Sequence, residues 1–213
     1  KYICRKIHIR SLAKMKEWYK NRQKEHYFNE AKKNNLISRA YYKLEEIDQK
    51  HRILKNGQSI LDIGCSPGSW IQFITKKYPN SKILGIDLLD LKISKNKNTD
   101  FLKRDLNNFE EISDYINSKK LNFDNIISDI APNTSGIQSV DQNKSFQLCE
   151  ICTQFIDSHL KVKGNFLIKN FQGEDTPLLF NNIKKIFTKV QYIKPKASEK
   201  ISKEIYILGL SKK

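Results

Sequence analysis

The chain predicts an α/β fold: a mostly parallel sheet with helices on both faces and an antiparallel strand at one edge. Three observations lead there. Short apolar runs of strand length alternate with helical patterns from residue 59 to about residue 187. Several of these runs end in an acid or a lysine, at the strand ends where such sheets bind ligands. The last two runs, near 190–194 and 204–210, have no helical pattern between them, so they pair antiparallel.

The elements follow in order. Ser38 is expected to cap a helix through His51, with Tyr41, Leu44 and Ile47 on one face. Asn56-Gly57 turns the chain into strand 59–63. A helix over 69–78, a strand over 82–86, a short strand near 99–103 and a helix over 108–118 come next. Strand 124–128 leads through a long loop to a helix over 142–160. Gly164 reads as a turn opening strand 164–169, followed by a helix over 175–187. Upstream, residues 11–34 read as a basic helical region carrying Trp18, Tyr19, Tyr27 and Phe28. The expected organisation is a basic arm over 1–36 and one folded domain over 37–213.

At 213 residues and 25.0 kDa the chain can bury a full core. Its formal net charge of +16 favours a polyanionic partner, nucleic acid ahead of an anionic membrane. Part of that excess is a general enrichment in Lys. No apolar run approaches transmembrane length. Cys149 and Cys152 form a C-x-x-C inside a helical pattern with Phe155, Ile156 and Leu160, so they read as small buried thiols. No second C-x-x-C or His pair completes a zinc site, and no metal is expected. A reducing compartment fits. Residues 1–16 carry Lys1, Arg5, Lys6, Arg10, Lys14 and Lys16 and no acid. They read either as the tail of an organellar transit peptide or as a basic RNA-facing arm.

The loop after strand 59–63 reads Gly64-Cys65-Ser66-Pro67-Gly68-Ser69-Trp70. Glycines there let backbone approach a ligand. The third glycine of the dinucleotide fingerprint is missing, and no Gly-Lys-Ser/Thr of a P-loop follows. A nucleoside without a pyrophosphate fits better. Asp87, about 20 residues beyond the loop, can bind both ribose hydroxyls. Asp105 ends a third strand and can accept from an adenine amino group.

The segments DIGCSPGSW, GIDLL, SDIAPN and IKNFQG resemble the FtsJ/RrmJ family of S-adenosylmethionine-dependent ribose 2′-O-methyltransferases. The resemblance runs from about Ser38 to the C-terminus and is strongest in SRAYYKL, SDIAPNTSG, FQGE and KPKAS…SKEIYIL. It implies a Rossmann-like methyltransferase fold over 37–213 with S-adenosylmethionine as cofactor. It places Gly68, Trp70, Asp87, Asp105 and Asp129 around that cofactor, with Gly64 and Pro67 shaping the loop and Leu88 and Leu106 beside the acids. Cys65, Ser66 and Ser69 stand where many members have Ala or Gly.

The same resemblance implies a Lys-Asp-Lys-Glu tetrad of Lys43, Asp129, Lys169 and Glu204. A lysine closing a buried strand is costly unless its charge is used. Methylating a ribose requires holding the 2′-hydroxyl in line and removing its proton. Lys169, if neutral, can take that proton, while Lys43 and Glu204 orient it and the ribose. Asp129 also sits near the sulfonium or methyl. Asn133 and Ser135 are expected near the target nucleotide.

The implied substrate is RNA: a uridine of large-subunit ribosomal RNA, naked or in an assembled large subunit. Transfer RNA and the messenger cap are the alternatives. Lys14, Lys16, Lys20, Arg22, Lys24, Lys32 and Lys33 are expected to form one phosphate-binding arm. Arg39, Lys194, Lys196 and Lys200 flank the cleft. Tyr41 or Tyr42 can stack on a base, with core packing the fate of at least one. No membrane partner and a monomeric state are expected, in a mitochondrion or other organelle, or else in cytoplasm or nucleus. A non-catalytic RNA-binding or ribosome-assembly module and a nicotinamide-dependent oxidoreductase remain open. An intact tetrad disfavours the first and the missing fingerprint the second.

Overall fold

The alternating apolar runs become seven strands of a single sheet in the order β3-β2-β1-β4-β5-β7-β6. The computed structural model describes residues 27, 29–94, 96–198 and 202–213. Expectations for the basic arm through residue 26, for Phe28 and for Lys200 lie outside the described residues. Residues 29–33 are helical. From there the order is α1 (Ala40–His51), β1 (Ser59–Ile63), α2 (Ser69–Lys77), β2 (Lys82–Asp87), β3 (Thr99–Lys103) and α3 (Phe109–Ser118). It continues with β4 (Phe123–Ser128), α4 (Gln138–His159), β5 (Leu160–Phe171), α5 (Thr176–Ile186), β6 (Phe187–Ile193) and β7 (Glu204–Lys212).

Strands β1 to β5 pair in parallel. The expected antiparallel pair, β6 with β7, closes one side of the sheet. β7 lies one position in from the edge, antiparallel to both neighbours, because it pairs with β5 as well. Side-chain alternation sorts the strands between two cores. Leu61, Ile126, Phe166, Ile168 and Ile207 face α3, α4 and α5. Ile60, Ile127, Leu167, Tyr206 and Leu208 face α1 and α2. With a period of two, Lys169 and Glu204 fall on the α1 side, with Leu167 and Tyr206.

Several boundaries differ from expectation, among them the end of β5 at Phe171 and the start of β6 at Phe187. Ser38 precedes the cap position, which Arg39 holds. The Ser38 hydroxyl accepts the Ala40 N–H at 3.2 Å and bonds the Ser69 hydroxyl at 2.7 Å, tying α1 to α2. α4 starts four residues earlier than expected, through a polar stretch with no apolar period. Asp141 in its first turn accepts the Ser135 and Gly136 N–H groups, which fixes the loop onto the helix start. β5 starts earlier too, and Gly164 is a strand residue instead of a turn. A Cβ there would lie 2.9 Å from the Asp124 carbonyl, beside a register shift in the β4–β5 pairing.

Gly209 of β7 tests the packing away from the site, since an added Cβ would meet the Phe187 ring at 2.7 Å. Gly209→Ala is expected to lower the unfolding free energy by about 1–3 kcal/mol, measured by urea denaturation.

Candidate active site

The sequence places Lys43 on α1, Asp129 after β4, Lys169 in β5 and Glu204 at the start of β7. Because β7 runs antiparallel, its first residue lies at the same sheet edge as the ends of β4 and β5. Phe171 pairs with Glu204, and Lys169 with Tyr206. Lys169 is two residues inside its strand, since the ladder with β7 extends β5 to Phe171.

These side chains form one buried cluster. Lys169 Nζ lies 3.0 Å from Asp129 Oδ1 and also donates to the Asp129 backbone carbonyl. Lys43 Nζ lies 3.7 Å from the same carboxylate oxygen and 2.9 Å from Glu204 Oε2. Lys43, Lys169 and Glu204 are 7%, 6% and 9% exposed, so neither ammonium can reach bulk water unaided. Two cations are matched by two anions, which makes the burial tolerable. The Ser198 hydroxyl donates to Glu204 Oε1 at 2.7 Å.

Tyr206 is a member that sequence reasoning missed. It is fully buried, and its hydroxyl donates to Asp129 Oδ1. Its ring lies under Lys43 Nζ, 5.9 Å from the centroid. The available signal was its place two residues beyond Glu204, on the same strand face. Burial pushes the Asp129 carboxyl up, but the Lys169 and Lys43 charges and the Tyr206 hydroxyl outweigh that and hold it below the ordinary value. Burial, followed by the Asp129 and Glu204 charges, pushes the Tyr206 phenol well up.

Beside the cluster lies a cavity of about 540 Å³ lined by Gly64, Asp87, Leu88, Asp105, Leu106 and Asp129, among others. It sits where the strand order reverses between β1 and β4, the switch point of an open α/β sheet. Gly64 has φ +72°, and a Cβ would lie 2.6 Å from Ile130, so no side chain fits. Asp87 holds the loop by accepting the Ser66 and Leu89 N–H groups, each at 2.8 Å. Asp105 accepts the Asn107 N–H at 3.0 Å. Leu88 is exposed and Leu106 buried. Pro67 and Trp70 line a smaller recess that shares Gly64, Ser66 and Asp129 with the main cavity. Trp70 is buried and donates its indole N–H to the Ala40 carbonyl, so it also joins α1 to α2. Gly68 stands behind this lining at the N-cap of α2, with φ +112°.

Asp62 is a second residue sequence reasoning passed over. It is the lone acid in the buried run of β1, is 1% exposed, and lines the recess. Its Oδ2 has no hydrogen-bond partner. Burial, then the Asp129 and Asp87 charges, pushes its carboxyl well up. Other expectations resolve as follows. Tyr41 is core, edge-on to Phe73. Asn133 lines the cavity, whereas the Ser135 hydroxyl is taken by Asp141. Lys194 caps the Ser202 and Glu204 carbonyls, so its ammonium braces the start of β7 instead of standing free for phosphate. Cys149 and Cys152 are buried helical thiols, both pushed up by burial, Cys152 to about 12.

The FtsJ-like methyltransferase family model matches residues 36–212. Ribosomal RNA large subunit methyltransferase E of Bdellovibrio bacteriovorus is 42% identical over 193 residues, covering 89% of this chain and 97% of that protein. The protein of the same name in Desulfatibacillum aliphaticivorans is 38% identical, covering 94% and 96%. A crystal structure described as a ribosomal RNA methyltransferase of Plasmodium falciparum superposes with a TM-score of 0.73 at 32% identity, covering 82% of this chain and 97% of that one.

The unpartnered Asp62 gives a pH test. Its raised carboxyl binds a proton more tightly folded than unfolded, so its contribution to stability is present below the unfolded value and lost as pH rises. The melting temperature of Asp62→Asn minus that of wild type is therefore expected to increase from pH 4 to pH 8. A flat difference in calorimetry would show that the site does not penalise the carboxylate.

Proposed function

The chain belongs to the FtsJ-like methyltransferase family, and we propose that it transfers a methyl group from S-adenosylmethionine to a ribose 2′-hydroxyl of large-subunit ribosomal RNA. The observation that carries this reading is the pair of buried ammoniums, Lys43 and Lys169, bracketing Asp129 beside the switch-point cavity. A structural ion pair needs one cation and one anion. Two of each, held between a helix and three strand ends beside a nucleoside-sized cavity that Asp129 lines, suit a reaction that moves a proton.

The residues present fit the cofactor. Asp87 and Asp105 both line the cavity, with Leu88 and Leu106, and would take the ribose hydroxyls and the adenine amino group. Gly64 leaves room for a ligand against backbone. Asp62 offers an unpartnered carboxyl oxygen that a ligand ammonium or hydroxyl can satisfy. Gly68, Pro67 and Trp70 hold the loop behind them. When bound, S-adenosylmethionine supplies a methyl on a positive sulfonium that needs no further activation.

The chain's own residues do the rest. Asp129 lines the cavity and pairs with both lysines, so it would present a carboxylate to a bound sulfonium. Lys169, once it has released its own ammonium proton to solvent, takes the 2′-hydroxyl proton. Lys43, fixed by Glu204, holds the ribose side of the site. Tyr206 keeps the Asp129 carboxylate aimed at both lysines. We take residues 37–213 as the methyltransferase domain and 1–36 as a basic arm, acting as a monomer. The bacterial relatives, together with the basic, acid-poor residues 1–16, support an organellar large subunit as the setting. Recovery of the native protein only in cytosolic fractions would remove that setting.

The test is methyl transfer from labelled S-adenosylmethionine to large ribosomal subunits, bulk transfer RNA and capped messenger RNA. Label is expected on a ribosomal ribose. Lys169→Ala is expected to lose about 10²–10⁴-fold in kcat while still binding the cofactor by calorimetry. Label on another RNA would move the substrate, and no label on any would overturn the reading. Tyr206→Phe removes a hydrogen bond to a charged group and is expected to cost about 1.5–3 kcal/mol in stability at neutral pH. That loss should shrink as acid protonates Asp129, and chemical denaturation at two pH values would check it.

A further inference from the structure

The charge of +16 is unevenly placed. At the sheet edge that holds the tetrad, cations stand among acids such as Asp87, Asp90, Asp105, Glu174 and Asp175. The opposite edge differs. There β1 to β6 begin, and each of the five helices ends there, so every helix-to-strand connection passes through it. Those connections and strand starts carry Arg52, Lys82, Lys120, Lys163, Lys185 and Lys189, all exposed. None of the six has a carboxylate at ion-pair distance among the described residues. Asp48 is buried and bonded to Lys77 and Tyr78, and Asp124 takes the Ser59 N–H and Lys161. The exposed acids at the ends of these elements are Asp100 and Asp157.

Two ordinary causes account for part of this. Cations in the last turns of α1, α2 and α5 suit the helix dipole. Arg52 is the C-cap of α1 and Lys120 follows the C-cap of α3, so the dipole favours cations there as well, whereas Lys82 and Lys163 lie beyond the helix ends. General Lys enrichment is the other. Yet Arg52, Lys120 and Lys163 have φ of 51°, 53° and 65°, in the left-handed region that favours Gly or Asn. Asn is plentiful in this chain. Of the five left-handed positions at this edge, Gly57 and Ser211 carry no charge and the other three carry a cation, where compositional drift indifferent to charge would favour Asn.

We propose that this edge is a second phosphate-binding surface for RNA, on the far side of the protein from the methyl-transfer site. The inference rests on the RNA substrate proposed above. Along β5, the six steps from Lys163 to Lys169 span about 20 Å. A short strand bound at the tetrad does not reach round the domain to this edge. A folded RNA with segments on two sides of the protein does. The surface therefore selects structured RNA, as in an assembled subunit, through phosphate contacts that read no sequence.

The test combines Lys120→Asn, Lys163→Asn, Lys185→Gln and Lys189→Gln in the full chain, with Asn chosen where φ is positive. Cofactor binding by calorimetry and the thermal melt serve as folding controls. Binding to large ribosomal subunits and to a short RNA carrying the target is measured across a salt series. On subunits the variant is expected to bind at least about tenfold more weakly at 0.1 M salt, and its log–log salt slope to be shallower by about 3–4. KM for subunits should rise with kcat unchanged, and binding of the short RNA should not change. Wild-type affinity and slope in the variant would overturn the surface, whether or not the enzyme methylates ribosomal RNA. Weakened subunit binding by a variant whose parent labels no ribosomal RNA would keep the surface and overturn the substrate. No RNA binding by the parent would overturn both.

Discussion

Two ammonium groups are held out of water beside one carboxylate, and much of the architecture follows from keeping that arrangement neutral. Lys43 and Lys169 each need an anion within a few ångströms, and Asp129 alone cannot balance both. Glu204 completes the balance, and it reaches the site only because β7 enters the sheet antiparallel, starting where the parallel strands end. A parallel β7 would put its first residue at the far edge. The reversed strand is thus what allows the cluster to be buried. Ser198 and Lys194 then fix the start of β7, so that Glu204 cannot withdraw toward solvent.

The same constraint shapes the neighbouring cavity. Asp129 is shared, touching the lysines on one side and lining the cavity on the other. Any cation bound there meets a carboxylate already committed to the ionised form, held so by two ammoniums and a phenol. Asp62 is the counterweight. In the adjoining recess, which Asp129 also lines, and with Oδ2 lacking a partner, it is driven toward its protonated form by burial and by Asp129 itself. Two carboxyl groups with opposite tendencies on one wall give a ligand one charged and one uncharged place to bind.

The distribution of charge separates catalysis from anchoring. The tetrad is close to neutral as a set, so it does little to attract a polyanion at a distance. The long-range field comes from cations at the opposite end of the sheet, about 20 Å along β5 from the chemistry. A methyl-transfer site tuned by a few close charges can then tolerate a strongly basic surface, because solvent and salt screen the two from each other.

The sequence by itself determined the sheet and helices to within a few residues, since strand and helix periods are local properties of the chain. Its short contiguous motifs also carried the family resemblance that pointed to Lys43, Asp129, Lys169 and Glu204, which the fold brings into one cluster. The sequence did not determine the extra residues at both ends of β5 or the early start of α4. Those depend on a partner strand and on a carboxylate reaching back to a loop, which no local pattern records. Gly164 looked like a turn because glycine serves turns and close backbone contacts alike, and only the approach of the Asp124 carbonyl tells which. Tyr206 and Asp62 read as core positions in apolar runs. Their polar roles became legible only when the sheet set one against Asp129 and left the other without a partner. The clustering of cations at one edge was equally invisible, because Arg52, Lys120 and Lys163 lie far apart in the chain. Tertiary structure alone decided it, by bringing every helix-to-strand connection to the same end of the sheet.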